Sequence, residues 1–466
     1  MATSLVDLLE LLRPIRFEFL HAQVDKLSET IGFDADQLRY CLALFAAYPF
    51  AVLFRMMPRR VKPWFSFLVG VFVAQFVLGR EWIHSFITST ITYFLVKWAP
   101  VSYAPFLVFA FNMLYLSASH LYRIYVDYLG WSLDFTGPQM LLVIKLTSFA
   151  YNVYDGSDPK LSTDAPPAHA QLAKVYATRR SLSISKLPSL IEFYGYTYCF
   201  ATFLAGPAFE YQPYVDVIAS NGPKGSTRSC LASALGKLLV GLGCLGVMIA
   251  LGPQFPLHEC LHATSYATVF HQWGSVYVAL LVTRCKYYFA WKVAEGSTVL
   301  CGFGHTNEGW DGVSNVDILG FEFGQNIRDL SRAWNQGTQA WLQRYVYERW
   351  SNSLLATYFV SAFWHGFYPG YYLFFLSVPL ATAVNRLARS VLRPHFQDKS
   401  VKVLYDIVGI LATSLTINYL AVSFVALSWA ESLYGWTRLH FGGHIGLVVA
   451  YLVLQVLPRK KVAKAA

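Results

Sequence analysis

Charge is what this sequence has least of. Only 14% of its 466 residues are Asp, Glu, Lys or Arg, against about 25% in soluble domains, which excludes an ordinary water-soluble globule. No CxxC pair occurs. The seven cysteines, at 41, 199, 230, 244, 260, 285 and 301, form no even framework. Most lie in or beside apolar runs, so they read as small buried hydrophobes rather than a disulfide scaffold. No cleavable leader is expected either. The first 20 residues are amphipathic and hold Asp7 and Glu10, where a signal would carry a basic start and a clean apolar core. There is no internal repeat, and the apolar runs are continuous rather than alternating, which argues against a β-barrel. What is abundant is hydrophobic (55%) and aromatic (17%). In lipid the backbone must satisfy itself, and helices do so without closing a barrel. The fold expected is therefore all-α, a polytopic membrane helical bundle around an intramembrane chamber.

Eleven apolar runs can be drawn: 37–57, 64–79, 82–98, 101–125, 138–152, 190–207, 231–253, 273–295, 354–379, 405–428 and 441–457. These predict about 11 transmembrane helices, with re-entrant or interfacial ones beside them. Several runs fall short of the roughly 20 residues a span prefers. Residues 1–36 read as an N-terminal amphipathic segment, 37–457 as one domain and 458–466 as a basic tail. The one real linker, 153–189, holds "GSDPKLSTDAPPAHAQ" and reads as a polar loop. The net charge of +10 is clustered in 55–62, 179–186, 386–402 and 458–466. Such clusters mark cytosolic faces and attract anionic headgroups or phosphates; no nucleic acid is expected as a partner. Putting 55–62, 386–402 and the tail in the cytosol places the N-terminus in the lumen and makes the number of crossings odd.

Polar residues interrupt the apolar parts. Lys145, Glu210, Arg284, Lys286 and Asn418 stand in or beside the runs. An ionisable group in hydrocarbon costs roughly 2.5–3.5 kcal/mol even on lenient scales, so several together suggest a hydrated chamber, as in a transporter or an enzyme. The stretch "QNIRDLSRAWNQGTQAWLQRYVYER", 325–349, has no long apolar run. Read as one helix, it places Arg328, Arg332, Asn335 and Gln339 on one polar stripe, with Trp334 and Trp341 on an adjacent face. That predicts an interfacial or re-entrant helix whose arginines can grip phosphate.

"FWHGFYPGYY", 363–372, sets a histidine among apolar residues. Counted from Leu354 at ~1.5 Å per residue, His365 lies near the middle of a ~30 Å layer. Pro369 pushes on the carbonyl of the residue four before it, which is His365. The helix should open there, with Gly366 and Gly370 admitting other backbones. A buried neutral imidazole with room beside it can act as a general base. "HECLH", 258–262, raises a rival. It fits the HExxH pattern of zinc proteases, with His258 and His262 as ligands and Glu259 as base. Pro256 precedes it, 254–272 reads as a loop and no third-ligand motif is evident, so no metal is expected.

"WNQGTQAWLQRYVYER" followed by "VSAFWHGFYPGYYLFF" resembles the active-site region of the membrane-bound O-acyltransferase family. "DFTGPQMLLVIKLTSFAYNVYDG", "PSLIEFYGYTYCFATFLAGPAFEY" and "RCKYYFAWKVAEG" are similar to its lysophospholipid acyltransferase branch. The "FYxDWWN"-type motif of the sterol and diacylglycerol branches is absent, "LSRAWNQ" standing in its place. The resemblance covers residues 37–457. It implies an endoplasmic reticulum enzyme that remodels phospholipids by acyl transfer from acyl-CoA, a co-substrate and not a cofactor, to a lysophospholipid such as lysophosphatidylcholine or lysophosphatidylethanolamine. Asn335 and His365 would be the catalytic pair. Trp334, Trp341, Trp364, Tyr287, Tyr288 and Glu210 would line the substrate site, and Arg328, Arg332, Arg344 and Lys286 would form a cationic doorway for CoA. The competing readings are a non-catalytic lipid or solute transporter and the zinc protease.

Overall fold

Short polar side chains mark where the helices begin. The Asp34 carboxylate accepts from the backbone N–H groups of Asp36 and Gln37, both at 3.0 Å, and starts Ala35–Met56. Ser189 and Glu192 cap each other reciprocally at the start of Leu190–Thr197, satisfying donors that a first turn leaves orphaned. The computed structural model describes residues 17–130, 133–158, 161, 170–220, 225–263, 266–350, 352–396 and 399–458. The amphipathic start (1–16), most of "DPKLSTDAPPAHAQ" and the tail beyond 458 lie outside the described residues. Among the described ones all regular structure is helical. Part of the expected 153–189 loop is helix, Ala170–Leu182.

Among the described residues, five helical stretches are long and apolar enough to cross a membrane: Ala35–Met56, Lys62–Trp98, Ala104–Val126, Thr227–His262 and Val401–Ala426. A sixth arises if Trp429–Arg438 and Gly442–Val456, bent by 68°, form one span. The polytopic helical class stands, but the expected eleven spans are not reached by this measure. The reasons are local. Two of the runs, 64–79 and 82–98, join through the short turn Gly79–Glu81. Val269–Cys301 is long but carries Arg284, Lys286, Lys292 and Glu295. The run 190–207 yields only Leu190–Thr197, and 354–379 divides into two helices.

The chain divides into two compact units, Met1–Val240 with Ala290–Ser314, and Gly241–Phe289 with Asn315–Ala466. In the first, Phe54, Phe149, Phe193, Tyr196, Tyr214 and Phe303 form an aromatic core. Helices Lys62–Leu78 and Leu190–Thr197 cross closely within it. A Cβ on Gly70 would meet the Tyr198 carbonyl oxygen at 1.7 Å, and one on Gly195 would meet the Pro63 carbonyl oxygen at 2.7 Å. In lipid, where burial alone does not drive helices together, such small residues let dispersion do it. Several buried charged groups here are paired. Lys145 donates to the Tyr196 carbonyl and lies 4.3 Å from its ring centroid. Asn152 donates to Glu210 at 2.9 Å, and Lys292 meets the fully buried Glu295 at 2.7 Å.

The second unit packs Leu261, Leu280, Ile327, Tyr419, Leu420 and Trp436. Helix Pro369–Val391 approaches the end of Val401–Ala426 so closely that a Cβ on Gly370 would meet the Ser423 carbonyl oxygen at 2.1 Å. The Gly370 N–H donates to the Leu427 carbonyl at 2.7 Å.

Candidate active site

Asn335 does not lie inside a single helix. Residues 325–349 break into Ile327–Ala333, Gln336–Trp341 and a π-helical turn Leu342–Tyr347. Trp334 is extended and Asn335 left-handed, with φ 42° and ψ 57°. Asparagine tolerates that conformation better than most residues, which is why the break falls there. The segment before it straps the break. The Asp317 N–H donates to the Ala333 carbonyl at 2.9 Å, and the Gln336 N–H donates to the Asn315 carbonyl at 2.8 Å. The expected stripe of Arg328, Arg332, Asn335 and Gln339 on one continuous helix is therefore corrected. Arg328 and Arg332 stay together on the first helix, both exposed, while Asn335 turns away at its own cap. The Thr338 hydroxyl donates to the Asn335 side-chain oxygen at 2.9 Å, fixing which end of the amide points to the helix.

Trp334 is held by the second unit's polar network. Its ring packs edge-on to Tyr287 (6.0 Å) and Tyr288 (5.8 Å), and against Phe321 at 4.9 Å. The Tyr288 hydroxyl donates to Glu322 at 2.7 Å. Arg284 grips the two oxygens of Glu322 with Nε at 2.8 Å and Nη2 at 2.9 Å, and its Nη1 reaches Asn418. Arg284 and Asn418 are thus paired within the fold. They brace the segment leading into Asn335. Glu322 and Asn315 carry no signal in the sequence, because nothing local distinguishes a helix-borne Glu or a loop Asn until its partners are known.

His365 ends a helix. Leu354–His365 is 12 residues long, about 18 Å at helical rise, well short of a ~30 Å layer. The run 354–379 is thus not one continuous helix, and His365 stands at its break. The helix opens at the histidine as expected, but Gly366 is the cause. It adopts φ 118° and ψ −164°, a region open essentially to glycine alone. Pro369 is the first residue of the next helix, Pro369–Val391, where its fixed φ and missing N–H do no harm. The half-buried imidazole stands among Tyr371 (5.5 Å), Phe375 (5.4 Å, stacked) and Phe424 (5.1 Å, edge-on). Trp364, beside it, packs on Trp341 at 6.1 Å between centroids. The asparagine-bearing and histidine-bearing segments therefore meet through their tryptophans.

All the expected site residues except Glu210 fall in the second unit, Lys286 and Arg344 half-buried there. Glu210 belongs to the first, bonded to Asn152. The segment around "HECLH" also differs from expectation. Leu257–His262 is helical, and Glu431 lies 2.9 Å from His262.

This is a helical membrane protein whose second unit sets a histidine and an asparagine at two backbone breaks. The model of the membrane-bound O-acyltransferase family matches residues 120–422, and the chain belongs to that family, an acyltransferase of the membrane. It is 32% identical to the lysophospholipid acyltransferase of Schizosaccharomyces pombe, over 93% of this chain and 89% of that protein. It is 33% identical to membrane-bound glycerophospholipid O-acyltransferase 2 of Rattus norvegicus, over 93% and 88%. Identity to lysophospholipid acyltransferase 2 of Arabidopsis thaliana is 29%, over 94% and 97%.

Proposed function

We propose that this enzyme transfers an acyl group from acyl-CoA to the free hydroxyl of a lysophospholipid, remodelling phospholipids of the endoplasmic reticulum membrane. The observation that carries the reading is near full-length similarity to proteins of that name in a yeast and a plant. The surroundings of His365 support its assignment as base. An imidazole at a helix end, half-buried among aromatic rings, has an open backbone on one side and an apolar wall on the other. His365 would take the hydroxyl proton as the oxygen attacks the thioester carbonyl. The new ester C–O bond forms, the C–S bond breaks, and the proton passes from the imidazole to the departing thiolate. Asn335 would steady the hydroxyl or the developing oxyanion with its amide N–H, the other end of the amide being engaged by Thr338. Arg328 and Arg332, exposed one turn apart, with Arg344 and Lys286, would draw in the anionic CoA.

Membranes bearing the protein, given one unsaturated acyl-CoA and a panel of lysolipids, should release CoA thiol and form diacyl product in equal amounts. Thiol release without diacyl product for every lysolipid would place the acceptor elsewhere.

A further inference from the structure

The "HECLH" motif is not used by acyl transfer, and its surroundings have the makings of a metal centre. His258 and His262 sit one turn apart on Leu257–His262, their rings stacked at 4.2 Å. Glu431 comes from far along the chain, in the first turn of Trp429–Arg438, where the Ser428 hydroxyl accepts its N–H at 3.1 Å. One ligand atom from each of the three lies within 4.8 Å of the others, and His262 Nε2 is 2.9 Å from Glu431 Oε2. Among the described residues this is the one such group of three.

The two helices are fastened together around it. The Arg438 guanidinium donates to the Leu261 carbonyl at 3.3 Å and the Ala263 carbonyl at 2.6 Å. Gly435 lets the buried Leu261 side chain close in; a Cβ there would meet it at 3.2 Å. Tyr434 stacks on His262 at 4.2 Å and holds the ring plane. Two ligands are thus preset by packing. The third, His258, is exposed, so a rotamer change is enough to bring its nitrogen in. Tetrahedral coordination at ~2.0–2.1 Å from N and O donors needs ligand atoms somewhat over ~3 Å apart, a modest contraction from the present spread.

We propose that His258, His262 and Glu431 form a binding site for a divalent transition metal of the Zn²⁺ class, a clasp joining Leu257–His262 to Trp429–Arg438. Two imidazoles and a carboxylate suit zinc or cobalt and leave a fourth position to water. Glu259 is exposed and is not a ligand. The clasp is separate from the acyl-transfer chemistry and does not depend on it.

The test uses the purified full chain in detergent, stripped with chelator and titrated with Co²⁺. About one equivalent should bind, with the visible bands of a tetrahedral ion, and Zn²⁺ should displace it. Zn²⁺ should also raise the unfolding temperature, because a ligand that binds only the folded state stabilises it. His258→Ala changes an exposed residue and removes its ring's stacking on His262 without touching the buried core. Glu431→Gln keeps a hydrogen bond to His262 while removing the charge. Each should weaken binding more than about tenfold, the least that perturbing a metal's surroundings costs, and abolish the thermal shift. Absence of Co²⁺ bands in the wild type, or bands that persist in His258→Ala, would overturn the proposal and leave His262–Glu431 as a plain hydrogen-bonded pair.

Discussion

At the scale of single residues, the proposal rests on two side chains whose backbones are both irregular, and each break offers its own control. His365→Ala should cut acyl transfer by roughly 10²-fold or more, the usual size of a general-base contribution, with lysolipid and acyl-CoA binding largely kept. Asn335 needs a more careful substitution. Its left-handed backbone penalises Ala by about 1–2 kcal/mol, so loss of activity in Asn335→Ala mixes strain with chemistry. Asn335→Gly accepts the same φ and removes only the amide. If the amide acts on the substrate, both variants should be nearly as slow as His365→Ala, and His365→Ala/Asn335→Ala little slower than the slower single. A glycine variant with near wild-type turnover, measured on protein of normal thermal stability, would make Asn335 a conformational residue. Glu259→Gln should leave acyl transfer near wild type; a loss beyond about tenfold, equal to ~1.4 kcal/mol, would tie the "HECLH" segment to the chemistry.

At the scale of elements, the sites are built by interruptions, and these are only partly legible in the sequence. The glycine and proline of "HGFYPG" announce a break at His365 from composition alone. Which of them makes it is not legible there, because Pro369 reads equally well as a disruptor or as the first residue of a new helix. The conformation of Gly366 settles that. Gly366→Ala should therefore damage both stability and rate, by about 1–3 kcal/mol in the folded state for a backbone forced into a glycine-only region. Pro369→Ala should leave turnover within about threefold, since an exchange at a first helical turn costs well under 1 kcal/mol. Comparing turnover and thermal midpoints of the two variants checks the assignment. The break at Asn335 gives no such warning. The stripe from Arg328 to Gln339 fits an unbroken helix, and only the long-range bonds from 315 and 317 to 336 and 333 undo it. The Arg284–Glu322 pair is hidden for the same reason. Its side chains are 10% and 14% exposed, so Glu322→Gln, which strands a largely buried guanidinium, should cost about 3 kcal/mol or more. It should also loosen Trp334, seen as a fall in melting temperature together with activity.

At the scale of the whole molecule, composition alone defines the class, because a chain this poor in charge and this rich in continuous apolar runs has few ways to satisfy its backbone. The number of spans is less legible. Runs such as 138–152 and 273–295 owe their hydrophobic look to burial against protein as much as to lipid; Thr136–Gly156 is buried along most of its length. If the basic clusters set orientation, tags in 55–62 and in 386–402 should both be cut by protease added outside sealed microsomes, and shielding of either would reverse the topology. The account's central claim is narrower: that His365 is the base of an acyl transfer from acyl-CoA to a lysophospholipid. The most direct measurement is single-turnover acyl transfer by purified wild-type protein and His365→Ala, matched for folding, with lysolipid and acyl-CoA both saturating. Diacyl product from the wild type and a rate at least about 10²-fold lower for the variant is the predicted result. A variant that keeps more than about a fifth of the wild-type rate, a difference under ~1 kcal/mol, would contradict it and reduce His365 to a packed aromatic neighbour.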